Sequence, residues 1–557
     1  MRNQTPKKRI LLRGAALALA LCLLFSCASC GKKNTATALR ADLSGRVYTL
    51  DPQYCSTALE RCLLKNCMEG LLRRLPDGTM AEGCAENYSV SADGLRYTFT
   101  LRENLQWSDG EPLTAKDFVF AFQRIQQGSG SAAAREQFAA IAGMAAGERG
   151  SLGVAAPDDR TVIITLSRTD PLLPEKLAEP EAFPCREDFY TGTHARYGNT
   201  LENMIYNGPY TVKSWESTGL RLIPNSRYTG LTPAQNTGVI ITLGRDNTME
   251  RFLEGLTDCC RVDSNTLCCR VDSNTLGQLS GGKTSLLTFR NGTVSLLLNQ
   301  ASPQLAQEAM RQALCYSFPL AQYAQGGDLP DSYEYADSII PGAARLYDES
   351  YTDLTAKGFS LGSVTYPDGS STSDFRRSDQ LTITYNARAA AAALEQVKEL
   401  PQGLTLLLPK GSALEGFCGW LQKQWLDHLG LVVNLAIVDA DTYRSRLAKG
   451  DFTLALYSYT AGDELHTVFR HYGTGGGAPV QCADPHYGQL LDMASTSRNV
   501  NEAARLFANA EALLVDQFIV MPLFYTESYF AMAKGVSGIQ SSADDTELFF
   551  ATAKREG

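Results

Sequence analysis

Histidine is scarce in this chain, with five residues among 557. His194, His428, His466, His471 and His486 leave little material for a histidine-built metal centre or a nucleophilic triad. Cysteine is present, but fifteen in this length is far below a disulfide scaffold. There is no basic excess: 51 Lys and Arg stand against 60 Asp and Glu, a net charge of −9. That balance argues against nucleic acid as the main partner. Only one long apolar run occurs, near the N-terminus, which excludes a polytopic membrane protein. What the chain has is 44% hydrophobic and 20% charged residues. Such a composition folds rather than staying disordered, and the length allows several cores.

Residues 1–26 (MRNQTPKKRILLRGAALALALCLLFS) read as a signal sequence. Arg2, Lys7, Lys8, Arg9 and Arg13 form a basic leader, and Leu11 to Phe25 is an apolar core too short for an ordinary membrane span. Leu24-Phe25-Ser26-Cys27 is similar to a bacterial lipobox, and Cys27 is the expected lipidation site. Cys30, in Ala28-Ser29-Cys30-Gly31, is the alternative. The thiol would take a diacylglycerol and the freed α-amine a further acyl chain. Each buried CH₂ contributes roughly 0.8 kcal/mol, and two chains hold where one is marginal. Loss of the five leader charges takes the net charge from −9 to −14. The expectation is an acidic body on a polar linker (27–39), tethered to the lipid bilayer at the cell membrane and facing outward. The remaining Cys show no framework spacing, and Cys315 and Cys418 sit in apolar surroundings, so buried thiols are expected.

Periodicity predicts the elements. Leu95, Tyr97, Phe99 and Leu101 alternate with Arg96, Thr98, Thr100 and Arg102, a half-buried strand after the Asp93-Gly94 turn. Thr114 with Asp117 reads as a helix N-terminus. A helix over 413–429 stopping at Gly430, a strand over 431–438, a helix over 440–449 stopping at Gly450 and a strand over 452–459 predict parallel strands with crossover helices. Residues 500–516 read as a helix, and 293–299 as an apolar strand. Residues 259–267 (CCRVDSNTL) recur unchanged as 268–276, too short for a solenoid unit; an extra surface loop without metal is expected there.

Two short patterns match catalytic motifs formally. Gly277 to Thr284 matches a phosphate-binding loop, but an apolar strand follows where a helix is required. Gly358-Phe359-Ser360-Leu361-Gly362 matches a nucleophile elbow, but polar flanks replace the strand and helix that such an elbow joins. Neither nominates a catalytic residue, and no cofactor or metal is expected.

Residues 93–119 (DGLRYTFTLRENLQWSDGEPLTAKDFV) resemble the signature of the oligopeptide-binding proteins of ABC importers, solute-binding protein family 5. Residues 49–52 (TLDP), 68–71 (MEGL), 207–210 (NGPY), 224–228 (PNSRY), 311–316 (RQALCY) and 521–525 (MPLFY) resemble that family in its order. The resemblance implies an α/β fold of the type II periplasmic-binding-protein kind: two mixed-sheet lobes around a cleft with an extra small α/β domain. Expected boundaries are 40–65, 196–290 and 520–557 for the first lobe, 66–195 for the small domain and 291–519 for the second lobe. The implied activity is capture of an oligopeptide by main-chain pairing, with no reaction, and delivery to ABC permease subunits, with the ATPase engaged only through them.

The resemblance places ligand contacts at Ser56 and Ala58 on one face. Ser458, Tyr459, Thr460 and Asp463 form the other, Asp463 meeting an α-amine. The sequence departs from the family there: Trp and then Ala-Asp are usual, whereas this chain has Tyr459-Thr460-Ala461-Gly462-Asp463. Ser317-Phe318-Pro319 also stands where the family has an Asp. A receptor for another solute, such as a nickel chelate or a sugar, and a surface serine hydrolase using Ser360 remain alternatives.

Overall fold

The computed structural model describes residues 38–43, 45–145, 150–244, 247–263, 284–326, 329, 333–347, 349–356, 360–367, 369–371, 383–460, 465–542 and 547–555. The leader, Cys27, Cys30 and Asp463 lie outside the described residues, as does the second copy of the repeat.

Strand β1 (Leu39–Leu43) and helix α1 (Ala58–Cys67) open the chain. An inserted unit follows with β2 (Ala85–Val90), β3 (Arg96–Leu101), α2 (Ala115–Gln126), β4 (Val154–Ala155) and β5 (Thr161–Thr165), its sheet ordered β2-β3-β5-β4. Next come β6 (Tyr210–Glu216), β7 (Gly219–Pro224) and β8 (Val239–Leu243), which join β1 in a sheet ordered β1-β8-β7-β6. The rest of the chain supplies β9 (Cys259–Asp263), β10 (Thr284–Leu298), α3 (Glu308–Tyr316), β11 (Tyr333–Tyr335), β12 (Leu404–Pro409), α4 (Glu415–Leu429), β13 (Val433–Val438), α5 (Ala440–Lys449), β14 (Leu454–Thr460), α6 (Leu465–Tyr472), α7 (Pro485–Thr496), α8 (Val500–Asp516) and β15 (Val520–Ala533). These strands form a seven-stranded sheet ordered β9-β15-β10-β14-β12-β13, with β11 on β15.

Local chemistry accounts for the boundaries. Tyr97, Phe99 and Leu101 of β3 face the core, while Arg96 is exposed. Asp117 accepts from the Thr114 N–H at 2.8 Å and so closes the start of α2. Gly430 and Gly450 end α4 and α5 with φ of +68° and +66°, a conformation cheap only for glycine. The parallel pairing of β12 with both β13 and β14 requires α4 and α5 as crossovers.

Two cores result. Leu39, Leu63, Phe99, Trp107, Phe118 and Ile241 belong to one that runs without a break through the first lobe and the inserted unit. Leu296, Leu298, Trp425, Leu456, Phe469 and Leu514 belong to the other. Strand β15 serves both, Val520, Met521, Leu523 and Phe524 in the second core and Phe530 and Met532 in the first. Residues 520–524 thus belong with the second lobe. The first copy of the repeat also differs from expectation: residues 259–263 are a strand paired with Ser528 to Met532, and Cys259 and Cys260 are buried in it. All ten described Cys are buried and free of disulfides.

The Arg124 guanidinium, itself buried, donates to Asp51 Oδ2 at 2.5 Å and Oδ1 at 3.1 Å, and packs over the Tyr190 ring. Removing one member of a buried pair strands the other's charge, at about 3–5 kcal/mol. Arg124→Ala is expected to lose that much stability in urea denaturation, and Arg124→Leu with Asp51→Leu to recover most of it.

Glu511 of α8 is buried, accepting from Ser338 Oγ at 2.6 Å and the Ile339 N–H at 2.8 Å. Burial pushes its carboxyl from 4.5 up to about 7, only partly opposed by those bonds. Folded, it keeps a proton that the unfolded chain has lost, so its contribution to stability is full below pH 4.5 and falls until about pH 7. The expected loss is about 3 kcal/mol. Glu511→Gln should flatten that window relative to the parent chain in denaturation measured from pH 4 to 8.

Candidate functional site

On the first lobe, one carboxylate organises the segment that precedes α1. Glu60 accepts from the backbone N–H groups of Tyr48 (2.7 Å), Thr49 (3.1 Å), Ser56 (3.0 Å) and Thr57 (3.1 Å). Thr57 Oγ1 accepts from the Glu60 N–H in return, closing a capping box. Burial works against the charge of Glu60, but the bonds from Ser56, Tyr48, Thr49 and Thr57 hold its carboxyl below the usual range. Ser56 and Ala58 therefore stand exposed on a braced turn. Of the main-chain donors there, those of Ser56 and Thr57 already serve Glu60.

On the second lobe, β14 pairs with β10 as far as Gly292↔Thr460, and with β12 only through Leu454 and Ala455. Ser458, Tyr459 and Thr460 thus run past the end of the β12 ladder. The Tyr459 ring stacks on His471, centroids 4.0 Å apart, and Tyr457 Oη lies 2.8 Å from His471 Nε2. Burial pushes His471 down to about 4, so its imidazole is neutral near pH 7.

Between the lobes lies a cavity of about 890 Å³, within the usual range of ligand pockets, about 300–1,000 Å³. Arg61 and Lys65 of α1, the segment 168–179 and the short helix Ala132–Gln137 wall it on one side. His466, Thr467 and Arg470 of α6, with Asp492 and Ser495 of α7, wall it on the other. The spacing on α6 explains the orientation: Leu465, Val468, Phe469 and Tyr472 are buried in the core, which leaves His466, Thr467 and Arg470 for the cavity.

Most charges in this cavity are committed to one another. Lys65 Nζ bridges Glu179 (2.9 Å) and Glu547 (2.8 Å), and Lys176 meets Asp170 at 2.6 Å. Arg61 donates to Glu181 at 2.9 Å, and Arg74 to Glu175 at 3.3 Å. Burial opposes ionisation of Glu179, yet Lys65, Arg74 and Arg61 together keep it below the usual carboxylate range. Burial, with Arg470 and Lys176 nearby, pushes His466 down to about 3.

The five described residues expected from sequence flank this cavity without lining it. Ser56 and Ala58 sit one turn before Arg61 on the α1 side, and Ser458, Tyr459 and Thr460 end β14, the strand that precedes α6 in the chain. The lining residues of α1 and α6 were accessible in principle from helical spacing beyond those positions; the 168–179 wall carried no local signal. Ser360 is exposed in an irregular segment beside α8, where Arg505 and Asn509 bind the Leu361 carbonyl, and no helix starts after it. Thr284 opens a strand rather than the helix of a phosphate loop. Among the described residues no group of His, Cys, Asp and Glu is arranged to hold a metal, and no helix is long and apolar enough to cross a membrane.

Known proteins share this architecture. The chain is 23% identical over 535 residues to the oligopeptide-binding protein OppA of Bacillus subtilis, covering 90% of each. It is 24% identical to a dipeptide-binding protein of Lactococcus lactis, covering 94% of this chain and 95% of that one. The unliganded open form of the murein tripeptide-binding protein MppA superposes with a TM-score of 0.67 at 20% identity, covering 94% and 98% of the two chains. The model of the bacterial extracellular solute-binding proteins, family 5 Middle, matches residues 79–480, and the chain belongs to that family.

Proposed function

We propose that this protein captures oligopeptides in the interlobe cavity and hands them unaltered to the permease of an ABC importer, tethered to the cell membrane through acylated Cys27. The observation that carries the reading is the cavity itself: about 890 Å³, walled by both lobes and lined by polar groups whose charges are largely paired. A ligand contacted by both lobes favours the closed form by its differential affinity for it. Paired charges hold their shape and impose little preference for a particular side chain, as a receptor for varied peptides needs. Tyr459 and Thr460, beyond the β12 ladder, suit main-chain pairing with an extended ligand. The turn at Ser56 and Thr57 offers fewer donors, because Glu60 holds two of them. Asp463 is proposed to meet the ligand α-amine.

Mass spectrometry of ligand carried through native purification is expected to recover peptides. Recovery of sugars or nickel chelates without peptides would overturn the reading. Thr467→Trp, which fills one wall of the cavity, should weaken peptide binding at least about tenfold, or roughly 1.4 kcal/mol, in titration calorimetry. Ser360→Ala should leave binding unchanged.

The anchor has its own test. Metabolic labelling with a fatty acid should mark the parent chain and the Cys30→Ala variant, and Cys27→Ala should appear unlabelled in the soluble fraction. The reverse pattern would move the anchor to Cys30.

A further inference from the structure

We infer that Arg498 is a positioning residue that holds the two lobes together at the rim of the cavity whether or not a ligand is bound. It touches no part of the proposed ligand cleft, and the inference rests on reading the cavity as that cleft.

Arg498 lies between α7 and α8, on the second lobe. Its Nη1 donates to the carbonyl of Ala92 at 2.9 Å, in the turn that joins β2 and β3 of the inserted unit. That turn is preset. Asp93 accepts from Ser91 Oγ and, at 3.0 Å, from the Leu95 N–H. Gly94 has a φ of +73°, and a Cβ there would come within 3.0 Å of the Arg498 guanidinium carbon. The guanidinium thus rests against a glycine whose positive φ other residues rarely adopt.

A second observation comes from the other lobe. Tyr347 adopts a φ of +53°, an unfavourable conformation for a bulky side chain. Its hydroxyl donates to the Ser497 carbonyl at 2.5 Å, one residue before Arg498. A strained residue therefore braces the loop that presents the guanidinium.

The surroundings make the contact detachable. Tyr88, Tyr97, Pro171, Pro174 and Tyr347 leave a void of about 280 Å³ beside Arg498 instead of closing into a core. This void and the ligand cavity share Thr169, Asp170 and Glu175 as a common wall. Separation of the lobes about the crossing strands β10 and β15 would break the Arg498 bond, so the bond favours the closed form. Arg498 is exposed, which makes its contribution small and screened by salt.

Small-angle scattering without ligand tests the proposal directly. Arg498→Ala is expected to give a larger radius of gyration than the parent chain, with Arg498→Lys between them and Tyr347→Phe shifted the same way. With peptide bound, all four should match. Peptide dissociation should quicken by about two- to fivefold in Arg498→Ala, with association unchanged and the thermal midpoint of the free protein preserved. Equal radii in the absence of ligand, or equal dissociation rates, would overturn it. If no peptide binds the parent chain, the proposed function falls, while the ligand-free scattering still decides the role of Arg498.

Discussion

Both lobes hang on two antiparallel strands. Among the described residues, β10 carries the chain into the second core and β15 carries it back, paired with each other from Thr284↔Ala533 to Leu297↔Val520. Each strand is apolar at the second-lobe end and meets the first core at the other, through Phe289, Phe530 and Met532. Between those ends lie Asn291, Thr293, Thr526 and Ser528, buried but polar. Hydrophobic burial stabilises each lobe separately and contributes little at the crossing. The register slips between Arg290 and Gly292 and again between Val294 and Ser295, and such irregularities add local twist and bend. A ladder of backbone bonds thus crosses where the buried side chains are polar rather than apolar. Movement of one lobe against the other would bend these strands without opening either core.

The ligand cavity follows from that arrangement. It lies where two lobes with separate cores face each other, so its walls are the polar faces left over from two independent packing problems. Buried ions in such a place would cost several kcal/mol each if left alone. The structure offsets this by pairing across elements: Lys65 of α1 with Glu179 of the inserted unit and Glu547 of the C-terminal tail. Arg168, Arg470, Glu136 and Asp492 also line the cavity and enter no ion pair among the described residues. The cavity thus presents, among the described residues, two charges of each sign outside any ion pair, one of each sign from each lobe.

Elements set by local chemistry were legible in the sequence. Gly430 and Gly450 mark helix ends because the left-handed conformation is theirs almost alone, and α5 and α8 run from residue 440 to 449 and from 500 to 516 as their periodicity indicates. The two-lobed plan was legible through the resemblance carried by residues 93–119. The length of β10 was not: an apolar strand after residue 284 and another at 293–299 read as separate, and the polar Arg290-Asn291-Gly292 between them hid that they run on as one. The strand at Cys259 was hidden by the repeat, whose identical copies suggested an insertion, although Cys259 and Cys260 bury against β15. The cavity lining was least legible. Arg61 and Arg470 are ordinary surface cations on amphipathic helices until the tertiary fold sets the 168–179 segment beside the first and across from the second.

Chain economy explains why a contact such as that of Arg498 falls where it does. The inserted unit shares its core with the first lobe and therefore moves with it, as a rigid extension projecting toward the second lobe. Its β2–β3 turn reaches the α7–α8 loop, where Arg498 meets the Ala92 carbonyl. The wall shared by the small void and the cavity, Thr169 to Glu175, includes Asp170, which holds Lys176 at the ligand's side. On the reading proposed above, ligand contact and lobe contact would act on two faces of one segment, each favouring the closed arrangement that the other requires.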